Sequence, residues 1–191
     1  MTDRLSAKDR LLDAAAALFY SQGVGATGID AITARAGVAK MSLYNNFESK
    51  TDLVYAYIQR RHAEWLALYQ ERAGKATSAQ ERVLAVFDSY VDHAELAYEW
   101  GFRGCGLLNA AAELPIGDPG RTAVAAQKEE AERLFKQHLR ELNPNAGVAI
   151  DETAEHLSFL LEGAMQRAGL DGHDARLKSA RRIAVSILQL F

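Results

Sequence analysis

The side chains best suited to chemistry lie together in residues 40–46, which read KMSLYNN. Lys40 can donate to guanine O6 and N7, and Asn46 can pair with an adenine edge. Leu43 and Phe47 are four residues apart, as on the buried side of a helix. A short helix with an apolar rear and a hydrogen-bonding front fits the major groove of DNA. These residues therefore predict the reading of base edges.

Helices must position this segment, and the sequence marks where they begin. At four places a Ser or Thr precedes an acidic residue by three positions, so its hydroxyl can accept a free N–H of the first turn while the acid adds favourable charge. The pairs are Ser6 and Asp9, Thr27 and Asp30, Ser49 and Asp52, and Ser78 and Glu81. We expect a helix over 7–22, a short helix from Thr27 that Gly37 ends, and a second from Lys40. Two short helices joined by such a turn form a helix-turn-helix unit.

The rest of the 191-residue chain predicts helices alone. Helical spacing of apolar residues recurs near 50–72, 78–98, 105–113, 120–142, 151–168 and 174–190. No segment shows the sustained alternation of a strand. We expect an all-α protein of about nine helices, with a DNA-binding domain at residues 1–50 and a helical effector-binding and dimerisation domain at 51–191.

Charge and composition exclude several classes of protein. The net charge is −3, but residues 1–61 sum to +2 and the remainder to −5, which suits a protein that presents one end to phosphate. No apolar run is long enough to cross a membrane, and the charged N-terminus lacks a secretory core, so we expect a cytoplasmic protein. A single Cys105 excludes an internal disulfide and a multi-cysteine zinc site. No two of the five histidines have metal-binding spacing.

The segment around the turn resembles the tetracycline-repressor (TetR) family. The resemblance rests on Thr27, Ile32 and Ala36-Gly37-Val38, on SLYNNF at 42–47, and on Ser49, Lys50 and Leu53. It is strong over residues 7–55, whereas the remainder matches in length and helix pattern. One residue departs from the family, because Ala39 stands where Ser or Thr often caps the recognition helix, a loss of about 1 kcal/mol.

The resemblance implies a role for each matched residue. Base contacts fall on Lys40, Met41, Tyr44 and Asn46, with Tyr44 also placed to meet a phosphate. Backbone contacts fall on Thr27, Ser42, Asn45 and Lys50. It also implies a homodimer on double-stranded operator DNA, paired through the last two helices. Their apolar faces are Leu157, Leu160, Leu161 and Ala164, and Leu177, Ala180, Ala184, Ile187 and Phe191. The alternative is that these faces are buried within one chain.

Aromatic residues of the C-terminal part suggest a cavity for a small apolar or aromatic effector. The candidate lining is Trp65, Tyr69, Phe87, Tyr90, His93, Trp100, Phe102, Leu108, Phe135 and Phe159, and Asn109, Glu113 and Gln166 could orient a ligand. The alternative for each is packed core. Cys105 lies at a helix start, where a lowered thiol pKa would permit redox sensing, but a buried inert thiol is favoured.

Three functions remain to be compared. The first is a transcriptional repressor that a small-molecule effector releases from its operator. The second keeps the DNA-binding part and uses the rest to bind a protein or only to dimerise. The third is a small helical enzyme, which we set aside, because no nucleophile–base arrangement, phosphate-cradling glycine loop or metal triad is visible, and no cofactor is expected.

Overall fold

The computed structural model describes residues 5–96 and 98–191. Within these residues the chain forms nine α-helices and no strand, which confirms the all-α prediction. The helices are α1 (Ala7–Gln22), α2 (Ile29–Ala36), α3 (Lys40–Tyr44), α4 (Lys50–Lys75), α5 (Ala79–Ala94), α6 (Gly106–Glu113), α7 (Pro119–Leu142), α8 (Ala149–Asp171) and α9 (Ala175–Leu190). No described helix is long and apolar enough to span a membrane.

Three of the four expected N-caps are present. The hydroxyl oxygens of Ser6, Ser49 and Ser78 each accept the backbone N–H three residues on, at 3.1 Å. The fourth expectation is wrong, because Gly28 is the N-cap of α2 and no side chain caps it. Thr27 lies one residue too early, and its hydroxyl turns back to donate to the carbonyl of Gly23 at 2.6 Å.

Gly37 ends α2 in the left-handed region, with φ 62° and ψ 39°. Its N–H donates to the carbonyl of Ala34, and the N–H of Val38 donates to that of Thr33, so the last turn closes on itself. A residue with a Cβ would be strained at this φ, and glycine is not. The sharp stop sets the direction in which α3 begins.

The described residues divide into two compact units. The first, which we call the head, consists of the residues up to Arg61 together with 98–100 and 106–124. Helix α1 packs against α2, α3 and α6. The core comprises Leu11, Ala15, Phe19, Ile32, Leu43, Phe47, Leu53, Tyr57, Ile58 and Ala110, all buried. The unit is larger than the stretch 1–50 because the later segment 106–124 returns to the same core.

The second unit, which we call the body, consists of residues 62–96, 101–105 and 125–191. Helix α9 packs against both α8 and α5. Apolar residues of α8 and α9 fill this contact and are fully or nearly fully buried: Leu157, Leu161, Met165, Ala168, Leu177, Ala180, Ala184 and Leu188. Five of the nine residues expected to meet a partner are therefore buried within one chain, whereas Leu160, Ala164, Ile187 and Phe191 are half-buried. Other apolar residues of α8 and α9 are exposed to solvent.

Candidate nucleic-acid interface

Helix α3 is held to the head from one side only. Leu43 is 0% exposed and Phe47 is 3% exposed, so the rear of the segment lies in the head core. The ammonium of Lys8 lies 5.7 Å from the centre of the Phe47 ring. No side chain caps the first turn at Ala39, where the carbonyl accepts the N–H of Ser42 at 2.9 Å. Packing, rather than capping, fixes this helix.

The opposite side of α3 faces solvent. Met41 is 68% exposed and Tyr44 is 48% exposed, and Lys40 and Asn45 are also exposed. Two large side chains, Met41 and Tyr44, therefore lie open to solvent beside a cation and an amide. We call this surface, residues 40, 41, 44 and 45, the solvent face of α3.

Lys40 already has an acidic neighbour within the head. Its Nζ lies 2.8 Å from Oδ1 of Asp30, in the first turn of α2. The hydrogen bond to Asp30 raises the pKa of Lys40. Both partners are more than half exposed, at 56% and 82% of their side chains, so the pair is free to open.

The other residues expected to contact DNA are less exposed to solvent. Ser42 and Asn46 are half-buried, and the Asn46 amide donates to the carbonyl of Ser42 at 2.7 Å, across the end of α3. The Nζ of Lys50 lies 3.5 Å from the carbonyl of Gly25. Thr27 is 1% exposed, so its side chain does not join the surface formed by the others.

A clamp that sequence reasoning missed holds the loop between α1 and α2. Both carboxylate oxygens of Glu113, at the end of α6, accept backbone N–H groups: Oε1 that of Val24 at 3.0 Å and Oε2 that of Gly25 at 2.6 Å. A Cβ on Gly23, whose φ is 91°, would lie 2.6 Å from Glu113 Oε1. The expectation that Glu113 orients a ligand is wrong, because its carboxylate is occupied in fixing the head.

The residues expected to line an effector cavity fall into three groups: those buried in the body, one in the head core, and two that are exposed. Trp65 and Tyr69 stack with ring centres 6.1 Å apart, Trp65 meets Tyr90 edge-on at 5.7 Å, and Phe87 packs on Phe135 at 5.5 Å. His93 and Phe102 are buried in the body. Leu108 instead packs against the head core. Trp100 and Phe159 are 68% and 67% exposed and line no interior, contrary to expectation.

A polar cluster in the body was also not predicted from the sequence. Lys128 Nζ lies 2.9 Å from Glu162 Oε1, 3.3 Å from the Tyr90 hydroxyl and 3.5 Å from the Cys105 sulfur. The Tyr90 hydroxyl donates to the same Glu162 oxygen at 3.1 Å. Burial raises the pKa of Tyr90, so it remains a neutral donor. Burial alone would lower the pKa of Lys128, but the neighbouring Cys105, Tyr90 and Glu162 outweigh it and raise that pKa.

Comparison with known proteins matches the N-terminal part of the chain to a family of regulatory proteins. Residues 11–57 match the family model described as bacterial regulatory proteins, tetR family. The transcriptional activator FasR of Mycolicibacterium smegmatis is 33% identical over 88 residues, which are 46% of this chain and 40% of FasR. The transcriptional repressor KstR2 of the same organism is 36% identical over 83 residues, 43% of this chain and 40% of KstR2. The chain thus matches less than half the length of either curated relative.

Solved structures match over nearly the whole chain. A TetR-family transcriptional regulator from Streptomyces coelicolor has a TM-score of 0.86 and 30% identity, with 96% of this chain and 94% of that one covered. A regulator of the same kind from Streptomyces avermitilis has a TM-score of 0.75 and 30% identity, with 94% and 98% covered. The fold and these relatives together define a helix-turn-helix transcription regulator. The chain belongs to the TetR family of bacterial regulatory proteins.

Proposed function

We propose that this regulator binds operator DNA as a homodimer, with α3 of each copy in a major groove, and that a small molecule bound in the body releases it. The observation that carries the proposal is the two-sided character of α3. Leu43 and Phe47 anchor it in the head core, while Lys40, Met41 and Tyr44 are open to solvent. A helix held only from behind can enter a groove without disturbing its own domain.

Base and phosphate contacts divide by position on α3 and its neighbours. Lys40 reads guanine O6 and N7 once it leaves Asp30, an exposed pair of the kind that contributes little to stability. Met41 and Asn46 reach base edges, and Tyr44 reaches a base or a phosphate.

Phosphate contacts hold the domain in register. They come from Ser42, Asn45 and Lys50. The hydroxyl of Thr27 is hydrogen-bonded inside the head. The phosphate contact at this position therefore comes from the first-turn N–H groups of α2, which no side chain caps.

Dimerisation follows from the two half-sites that helix-turn-helix proteins read. We place the seam on the apolar residues of α8 and α9 left exposed by the body core. Phe159 and Leu170 are 67% and 84% exposed on α8, and Ile183 and Leu190 are 47% and 92% exposed on α9. Apolar groups of this size on neighbouring helices favour an interface over free solvent. A second copy offers the same residues in return.

Control by an effector needs a ligand that binds the released and DNA-bound arrangements with different affinity. A coupling free energy of about 1–3 kcal/mol between two binding sites is typical of allosteric proteins. The buried aromatic residues Trp65, Tyr69 and Tyr90 and the polar groups beside them support a ligand site in the body. The direction of regulation we propose, repression, is that of KstR2 and not that of FasR.

Selection of DNA from a random pool, followed by binding measurements on the selected operator, tests this function. Lys40→Ala should relax preference at one base pair by about 1–3 kcal/mol. Lys50→Ala should weaken all sequences alike and lower the salt slope by roughly one. Lys75→Ala is the matched control, because this exposed lysine ends α4 beside Glu71. No enrichment from the pool, or equal effects of all three variants, would overturn the proposal.

A further inference from the structure

A thiol and an amine lie in contact inside the body. The Nζ of Lys128, on α7, is 3.5 Å from the sulfur of Cys105, the residue that immediately precedes α6. A cysteine sulfur becomes an electrophile when it is oxidised to a sulfenic acid, and a sulfenic acid condenses with a neighbouring thiol or nitrogen. The structure therefore places side by side the two atoms that such a condensation joins.

The surroundings of the sulfur leave the amine as its reaction partner. Cys105 is the only cysteine in the sequence, so its sulfenic acid has no second thiol within the chain. It is 6% exposed, which keeps the thiol of another protein away. The side chains of Lys128 and Glu162 are 21% and 23% exposed, so solvent reaches the edge of the cluster. Hydrogen peroxide is little larger than water and can approach by that edge.

A carboxylate stands ready to take the proton that the amine must lose. Its neighbours raise the pKa of Lys128, so the side chain is an ammonium at rest and has to be deprotonated before it can react. Oε1 of Glu162 lies 2.9 Å from the Nζ. Oε2 of the same carboxylate is buried and has no hydrogen-bond partner among the residues the structure describes. The Tyr90 hydroxyl, 3.3 Å from the Nζ and 3.1 Å from Oε1, holds the pair together.

We propose that Cys105 and Lys128 form a reversible sulfur–nitrogen bond, a sulfenamide, when a hydroperoxide oxidises the protein. The sulfur first takes one oxygen from hydrogen peroxide. The S–O bond forms, the O–O bond breaks, the sulfur loses two electrons, and the thiol proton leaves with the second oxygen as water. The nitrogen then displaces the hydroxyl from sulfur. One ammonium proton passes to Glu162, and another leaves with the hydroxyl as water.

The bond is a modification that goes beyond the proposed function and does not depend on it. Two molecules of an added thiol cleave the bond, regenerate the cysteine and the amine, and become a disulfide themselves. The modification therefore belongs to the reversible part of cysteine oxidation, and it protects the sulfur from the irreversible sulfinic acid.

Peptide mass spectrometry of the full-length protein, treated with hydrogen peroxide, detects the bond. In the reduced protein trypsin separates residues 104–121, which contain Cys105, from residues 122–128, which end at Lys128. Trypsin does not cut after a modified lysine. The oxidised protein should therefore yield 104–121 joined to 122–133, about 2 Da lighter than the sum of the two peptides, because two hydrogens are lost. Dithiothreitol added before digestion should abolish this species.

Two conservative variants separate the reacting amine from the positive charge. Lys128→Arg keeps a cation beside Glu162 but removes the nucleophilic amine, and it should give no cross-link. Lys136→Arg is the matched control, because Lys136 lies about two turns further along α7 and pairs with Glu132 and Asp151. This control should cross-link to the same extent as the wild-type protein.

Three results would overturn the proposal. In the first, Cys105 remains a thiol while glutathione in the same solution is oxidised. In the second, Cys105 becomes a sulfinic acid without a bond to Lys128. In the third, the cross-link joins Cys105 to a different lysine. The wild-type masses decide even if Lys128→Arg fails to fold. Operator binding does not enter this measurement, so its failure is distinct from a failure of the proposed function.

Discussion

Replacing Glu113 by Gln is expected to loosen the loop between α1 and α2, which leads into the helix-turn-helix. The change keeps the size of the side chain, but one of its two acceptors becomes an NH₂ group that faces a backbone donor. In the native head the two oxygens accept the N–H groups of Val24 at 3.0 Å and Gly25 at 2.6 Å. Hydrogen bonds to a charged acceptor contribute about 1.5–3 kcal/mol when shielded. Because Glu113 is exposed, we take a lower total of about 1–2 kcal/mol.

Amide hydrogen exchange measures this effect at the backbone N–H groups of Val24 and Gly25. A loss of about 1–2 kcal/mol corresponds to roughly 5–30-fold faster exchange at Val24 and Gly25. Operator affinity should fall with it, since the loop positions the start of α2. Glu155→Gln, on an exposed carboxylate of α8, is the control and should leave both amides as they were. Unchanged exchange at Val24 and Gly25 in Glu113→Gln would refute the clamp.

Four further changes separate the roles of buried, exposed and ionised groups. Leu43→Ala removes a fully buried side chain and should cost about 2–5 kcal/mol with loss of all DNA binding, whereas Met41→Ala should weaken the operator complex at unchanged stability. Phe159→Ser should yield monomers in sedimentation, because this residue is 67% exposed in one chain. Hydrogen bonds from Arg82 hold the pKa of Glu141 at about 2, so Glu141→Gln should lower the urea midpoint at pH 6, and the deficit should shrink as pH falls from 4.5 toward 2.

Each of these has its own contradiction. Equal loss of stability in Leu43→Ala and Met41→Ala would mean that α3 is not anchored from one side. A dimer that survives Phe159→Ser would move the seam elsewhere, with Leu5→Ser, on an exposed leucine of the head, as the control. For Glu141, stabilisation is present above the unfolded pKa and lost as the carboxylate is protonated. A deficit that grows toward low pH would therefore have the wrong sign.

The sequence was informative where structure is set by neighbours along the chain. The turn at Gly37 and the burial of Leu43 and Phe47 follow from local conformational limits and from spacing by four, and the structure has both. The same reasoning failed at Thr27, since a Ser/Thr-x-x-acid pair does not tell which of two adjacent residues becomes the cap. Gly28 takes that place because the Thr27 hydroxyl finds the Gly23 carbonyl.

Long-range contacts lay outside what spacing can show. Glu113 meets a loop nearly ninety residues earlier in the chain, and Lys128 meets Glu162 on another helix. Neither pair has a local signal, because both depend on how helices pack. Aromatic spacing likewise cannot tell an inner face from an outer one. Trp100 and Phe159 were expected to line an interior and lie on the surface instead.

Methylation interference on the selected operator tests most directly whether α3 reads the major groove. Guanine N7 lies in the major groove and adenine N3 in the minor groove. We predict that N7 methylation blocks the wild-type protein at guanines of two half-sites about one helical turn, or a multiple of it, apart. At the guanine met by Lys40, the Lys40→Ala variant should lose this sensitivity. Interference at adenine N3 alone, or an N7 pattern identical in the two proteins, would contradict the assignment of α3 as the reading helix.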